Sequence, residues 1–292
     1  MANRRLPFVL LLLALTAAPH AAEAFRKPSA SEPIITDAGV AEVRRAIDEE
    51  RYIDAGRSLD EAMLAGVKDP RLLLLGGELN LARGRYADAM NGYKAAQGSP
   101  QTRALALQGE GLVLAATGRS DEALIVLRAA VSEAPQAWRA WNALGVAYDD
   151  LGAWADADAA YVRALAVAGT RGRPVVLNNR GYSRLLQHRL DEATADFVSS
   201  LQARPQFSEA RANLRFVLAL KGDYDRALAG ASPREKAELL NNAGFAAGLR
   251  GDYVEAAGFL SQAMTARGDY YSRAAENLKF VKDMEAHQRA AR

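Results

Sequence analysis

After residue 36, hydrophobic positions recur three and four residues apart, the spacing of one helix face, and a short polar turn interrupts them at regular intervals. The turns are copies of one another: GRYADA (84–89), GRSDEA (118–123), GAWADA (152–157), HRLDEA (188–193), GDYDRA (222–227) and GDYVEA (251–256). They are separated by 34, 34, 36, 34 and 29 residues, and a weaker copy, ERYIDA (50–55), precedes the first by 34. Glycine closes a helix by adopting a left-handed conformation that a Cβ penalises, and the acidic residues after it suit the first turn of the next helix. Each copy therefore predicts helix, tight turn, helix. Small residues recur upstream of the turns at Gly77, Gly111, Gly145, Gly181 and Gly244, and downstream at Ala89, Ala123, Ala157, Ala193, Ala227 and Ala256. They let the paired helices approach closely, with larger residues such as Trp141, Leu144, Tyr148 and Tyr161 filling the space around them.

The run Trp141-x2-Leu144-Gly145-x2-Tyr148, followed by Ala157-x3-Tyr161, resembles the tetratricopeptide repeat signature, with Tyr in place of the usual Phe. Ala193-x3-Phe197 with Pro205 matches its second half, and Ala123, Leu127 and Pro135 fit it with one substitution. The resemblance implies an all-α helix-turn-helix solenoid, a right-handed superhelix of about seven repeats, with a capping helix at about 271–287. Repeats are assigned to 36–69, 70–103, 104–137, 138–173, 174–207, 208–236 and 237–270. Two irregularities are expected to disturb the array. GTRGRP (169–174) predicts a looser link between repeats, and ALAGASP (227–233) predicts a second helix about one turn short.

Composition narrows the chemistry. Of 292 residues, 50% are hydrophobic but only 7% aromatic, which favours close-packed Ala- and Leu-rich helices. There is no cysteine, so disulfides, thiolate metal sites, thiol nucleophiles and cysteine-linked lipids are excluded. The only histidines are His20, His188 and His287, none with a partner at metal-ligand spacing. A formal charge of +2 gives no electrostatic reason to expect nucleic acid. Residues 1–24 read as a cleaved signal peptide: Arg4 and Arg5, an apolar run from Phe8 to Ala18, and Ala22-Glu23-Ala24 before the cut. That run is too short to cross ~30 Å of hydrocarbon. Residues 25–36 (FRKPSASEPIIT) read as a flexible leader, with the repeat array filling 37–292.

No GxSxG, P-loop or HExxH motif occurs, and the acidic pairs Asp121-Glu122 and Asp191-Glu192 fall where a helix start favours negative charge. The sequence thus predicts no catalytic residue, metal, cofactor or small-molecule substrate. A ladder on the first helices carries more information. Asn179, Asn213, Asn242 and Asn277 align at one repeat position, with Asn142, Asn178 and Asn241 one residue earlier. Three residues after each of the first group stand Tyr182, Phe216, Phe245 and Phe280. The resemblance implies that first helices line the concave surface, so these residues would form an amide and aromatic groove for partner proteins. The same residues in a helix-packing role are the competing reading.

The units VVLNNRGYSRLLQHRLDEATADF, ARANLRFVLALKGDYDRALA and LLNNAGFAAGLRGDY, joined to an export signal, are similar to the tetratricopeptide component of the tight-adherence (Flp) pilus assembly system. That resemblance implies a periplasmic scaffold with secretin or pilus assembly components as partners. Members of that family are typically lipoproteins, and the lipid-accepting cysteine is missing here, so no lipid anchor is implied. A general periplasmic scaffold in cell-wall or outer-membrane biogenesis and an accessory subunit of an envelope enzyme are the alternatives.

Overall fold

The computed structural model describes residues 37–233, 235–267 and 271–290. The predicted signal peptide and leader lie outside them. The described residues form α1 (Asp37–Asp48), α2 (Tyr52–Leu64), α3 (Pro70–Ala82), α4 (Tyr86–Ala96), α5 (Arg103–Ala116), α6 (Ser120–Glu133), α7 (Trp138–Asp150) and α8 (Trp154–Val167). They continue as α9 (Gly169–Leu186), α10 (Leu190–Ala203), α11 (Ser208–Leu220), α12 (Tyr224–Leu228), α13 (Lys236–Arg250), α14 (Tyr253–Arg267) and α15 (Ser272–Ala290). Seven helical hairpins are followed by a final helix.

One turn geometry serves all seven hairpins. Gly84, Gly118, Gly152, Gly222 and Gly251 have φ between +70° and +88°, and Glu50 and His188 hold the same position at φ 59°. At each, two backbone N–H groups fold back onto the helix just ended, as in Arg85 to Asn80 O (2.8 Å) with Gly84 to Leu81 O (3.0 Å), or Arg189 to Arg184 O (2.9 Å) with His188 to Leu185 O (3.0 Å). These pairs satisfy carbonyls that the helix end leaves open. Glycine adopts this conformation without the Cβ penalty that His188 bears. Replacing His188 with Gly is therefore expected to stabilise the protein by about 1 kcal/mol, measured as an upward shift of the urea midpoint at constant slope. An unchanged or lower midpoint would contradict this.

Within a hairpin, a first-helix glycine lies under a large second-helix side chain 16 residues later. A Cβ on Gly77 would approach the Tyr93 ring to 2.8 Å, on Gly111 Leu127 to 2.4 Å, on Gly145 Tyr161 to 2.7 Å, on Gly181 Phe197 to 2.8 Å and on Gly244 Leu260 to 2.6 Å. All five large partners are buried, as are the alanines that follow the turns. Hairpin cores thus close by interdigitation of absent and bulky side chains.

The chain divides between Gly172 and Arg173 into two compact parts. In the N-terminal part, first helices α1, α3, α5 and α7 pack each on the next, while α2, α4 and α6 pack on their own first helix and the following one. In the C-terminal part α11, α13 and α15 pack in the same row, and α10, α12 and α14 lie behind them. First helices therefore share one continuous face in each part.

The two irregularities differ from expectation. Residues 169–174 are helical, the start of α9 with Pro174 inside the helix, and the division between the two parts falls within them. Pro174 forgoes one backbone donor, its fixed φ suits a helix, and its carbonyl accepts from Ser200 Oγ at 2.7 Å. Gly172 is required by packing, since a Cβ there would stand 2.6 Å from the Trp138 indole. The other irregularity is larger than expected. α12 has 5 residues where α10 has 14, a deficit of about two and a half turns at ~3.6 residues per turn. Ala229 leaves the helix at ψ 138°, Gly230 turns at φ 64°, and Ser232 and Glu235 exchange hydrogen bonds (Glu235 N to Ser232 Oγ 3.3 Å, Ser232 N to Glu235 Oε2 3.1 Å) ahead of α13.

Candidate protein-binding face

The first-helix row of the C-terminal part gathers most of the ladder residues. Asn213 Nδ2 on α11 donates to Asn178 Oδ1 on α9 at 2.9 Å, and Asn178 Nδ2 donates to Asn179 Oδ1 at 3.3 Å. The pattern repeats further on: Asn277 Nδ2 on α15 donates to Asn241 Oδ1 on α13 at 2.9 Å, and Asn241 Nδ2 to Asn242 Oδ1 at 3.2 Å. Asn178, Asn213 and Asn241 are buried, at 8%, 4% and 2% exposure, so their amides staple one first helix to the next. Asn179, Asn242 and Asn277 are half-buried. Asn142 is buried on α7 in the N-terminal part.

Three of the aromatics are in ring-to-ring contact. Phe216 and Phe245 stack with centroids 6.5 Å apart and planes at 17°, and Phe245 and Phe280 follow at 5.9 Å and 35°. Tyr182 and Phe216 rest on one buried cluster of Leu185, Ala193, Phe197 and Val217. All four rings are half-buried, so each keeps an exposed portion. One turn beyond them come Leu186, Leu220, Leu249 and Met284, also half-buried. Sequence reading missed this second row, although its signal, an aliphatic residue four after each aromatic, is present. The two gaps between Phe216, Phe245 and Phe280 total about 12 Å, room for about four residues of extended chain at ~3.3 Å each.

Ion pairing holds the row from behind. Asp196 on α10 accepts from Arg180 Nε (2.8 Å) and Nη2 (2.6 Å) and from Arg184 Nη1 (2.7 Å), with the Asp196 side chain only 5% exposed. Further along, Tyr224 donates to Asp252 at 2.9 Å; burial first, then this bond, pushes the phenol up to about 12, while hydrogen bonds from Arg250 and Tyr224 hold the Asp252 carboxyl below its ordinary value.

The acidic pairs occupy helix starts. Glu122 is gripped by Arg119 (2.7 and 2.6 Å) and Glu192 by Arg189 (2.8 and 2.6 Å), and both carboxyls are held below the usual range chiefly by those hydrogen bonds. Asp191 pairs with Lys221 at 2.6 Å. His188 sits in its turn, and His287 Nδ1 lies 2.6 Å from the Asp283 carbonyl. No group of three metal-ligating side chains and no helix long and apolar enough to cross a membrane occurs among the described residues.

No family model matches the chain, and no curated protein matches it by sequence. Solved structures do match. A tetratricopeptide repeat protein from Parabacteroides merdae is 18% identical with a TM-score of 0.56, over 84% of this chain and 98% of that one. The Cut9–Hcn1 hetero-tetramer of the APC/C is 14% identical with a TM-score of 0.65, over 86% of this chain and 50% of that one. Pseudomonas aeruginosa pilF is 18% identical with a TM-score of 0.55, over 75% and 97%. The fold is that of tetratricopeptide helical solenoids.

Proposed function

We propose that the chain is an exported, non-enzymatic adaptor that holds an extended segment of a partner protein along the row Tyr182, Phe216, Phe245 and Phe280. The observation that carries this reading is the half-buried aromatic ring at one repeat position of four successive first helices, with Phe216, Phe245 and Phe280 in ring-to-ring contact and Tyr182 sharing a buried cluster with Phe216. Aromatics supply large contact area at low entropic cost, and the neighbouring half-buried amides Asn179, Asn242 and Asn277 are placed to meet a peptide backbone whatever its side chains. The narrower proposal is that the partner belongs to assembly of a Flp-type pilus or related secretion system. It is supported by the sequence resemblance and the signal-like residues 1–24.

A complementation experiment tests both levels. Deleting the gene is expected to abolish surface pili, the wild-type chain to restore them, and an equally abundant Phe216→Ala/Phe245→Ala chain to fail. Truncation at central interface aromatics typically costs about 2 kcal/mol or more each, enough to weaken binding more than tenfold. Normal piliation in the deletion strain would refute the pilus reading, leaving a general envelope scaffold. Full restoration by the double variant would refute the row as the binding face.

A further inference from the structure

The N-terminal part repeats the amide position of the first helices but lacks one half of the pair. In the C-terminal part Asn178 and Asn241, each three residues before a packing glycine (Gly181, Gly244), accept from Asn213 and Asn277 on the next first helix at 2.9 Å. Gln108 on α5 holds the same place, three residues before Gly111, and α5 packs on α7 as its next first helix. The residue aligned with the staple donors on α7, two before Gly145 as Asn179 is two before Gly181, is Ala143, which carries no amide. Gln108 is 8% exposed and Ala143 2%, and no hydrogen bond among the described residues reaches the Gln108 amide. Tyr93 brings a second such group to the same seam. Its ring leaves α4 past Gly77 and ends at Gly109: a Cβ on Gly77 would meet Cδ1 at 2.8 Å, and one on Gly109 would meet Cε1 at 2.2 Å and Cζ at 2.3 Å. The hydroxyl therefore stands beside the residue that follows Gln108. Tyr93 is 2% exposed, and its hydroxyl likewise has no hydrogen bond among the described residues. Neither polar group is sealed from solvent, so each keeps an opening to the surface.

Neighbouring polar groups that are nearly buried and unbonded lower stability, and a bound group with matching donors and acceptors is therefore favoured there. We propose that Gln108 and Tyr93 form a second binding site, which receives the side-chain carboxamide of an Asn or Gln in a partner protein segment. The incoming group takes the role of the amide that Ala143 lacks. Its N–H donates to Gln108 Oε1, as Asn213 donates to Asn178 Oδ1, and its oxygen accepts from the Tyr93 hydroxyl. A carboxylate has no N–H and leaves Gln108 Oε1 unbonded, and an ammonium has no acceptor and leaves the Tyr93 proton unbonded. Gln108 and Tyr93 belong to the other compact part from the aromatic row, so failure of this site leaves the adaptor reading untouched.

The test uses the purified chain and a hexaglutamine peptide capped by acetyl and N-methylamide, so that its side chains hold its only primary carboxamides. Calorimetry measures affinity, and heteronuclear NMR follows the chain's own side-chain amides. Saturable binding that shifts the Gln108 amide signal is expected, about tenfold weaker for Gln108→Met and for Tyr93→Phe, the loss of one well-buried hydrogen bond. It should be unchanged for Gln202→Ala on the exposed surface of α10. Hexaglutamate and hexaglycine with the same caps are expected not to bind. Ala143→Asn is expected to melt at the same or a higher temperature and to lose binding, because its own amide then stands where the ligand's would. No saturable binding, equal binding by Gln108→Met or Tyr93→Phe, an equal loss in Gln202→Ala, or equal binding of hexaglycine or hexaglutamate would overturn the proposal. So would binding that persists in Ala143→Asn, or a lowered melting temperature for that variant, which marks a seam with no room for a carboxamide beside Gln108.

Discussion

Phe197→Ala is expected to destabilise the C-terminal part by about 3–5 kcal/mol. The ring is wholly buried and lies over Gly181, whose missing Cβ is the space the ring fills. Truncation leaves a cavity between α9 and α10 that cannot readily collapse, because Ser200 Oγ bonded to the Pro174 carbonyl and the paired Asp196 fix the two helices at the same contact. Loss falls on near neighbours in a repeat array, so the transition of the C-terminal part should separate from that of the N-terminal part. Urea denaturation followed by circular dichroism, with hydrogen exchange resolved by peptide, measures this. A loss below about 1 kcal/mol, or uniform loosening of both parts, would contradict the packing account. Tyr182 is adjacent to Gly181 in the chain, so the variant should also weaken partner binding without touching the exposed rings.

The second large effect is electrostatic. Asp196 pairs with two arginines through one bidentate and one single contact, and all three side chains are largely covered, at 5% for Asp196, 17% for Arg180 and 16% for Arg184. Asp196→Ala leaves both guanidinium groups beside a gap, with Glu192, 3.7 Å from Arg184, as a remaining counter-charge. The expected cost is about 3–5 kcal/mol, the range for breaking a buried pair from one side. The triple change Asp196→Leu, Arg180→Met, Arg184→Met should recover most of it, since it removes the charges together. If Asp196→Ala cost no more than an exposed pair, about 0–1 kcal/mol, the network would be incidental to holding α9 against α10.

Much of this architecture is legible in the chain. The spacing of the turns and the small residues around them anticipate the hairpins, because the left-handed turn and the close helix approach each demand a particular residue type. Gly181 and Phe197 show why: neither is tolerable without the other. The departures have physical causes as well. GTRGRP, where the chain divides into its two parts, is helical although Gly and Pro break helices on average, because Gly172 admits Trp138 and Pro174 costs one donor near a helix start. The shortening of α12 was underestimated because turn formers mark where a helix must have ended, and Ala229 leaves it earlier.

The candidate face was partly legible. Alignment finds the amides and rings, but equivalence between repeats does not say which positions touch. The bonds run from Asn213 to Asn178 and from Asn277 to Asn241, one position off the alignment, and divide the ladder into buried staples and half-exposed neighbours.

The central claim is that partners are held on the first-helix face of the C-terminal part. Photoreactive residues placed singly at Tyr182, Phe245 and Val254 test it most directly in intact cells, Val254 being 80% exposed on α14, behind the row. The account predicts that Tyr182 and Phe245 capture the same protein, that Val254 does not, and that capture through Tyr182 is lost when Phe216 and Phe280 are replaced by Ala in a chain that still folds. Equal capture from Val254, or capture from Tyr182 that persists without those rings, would contradict it.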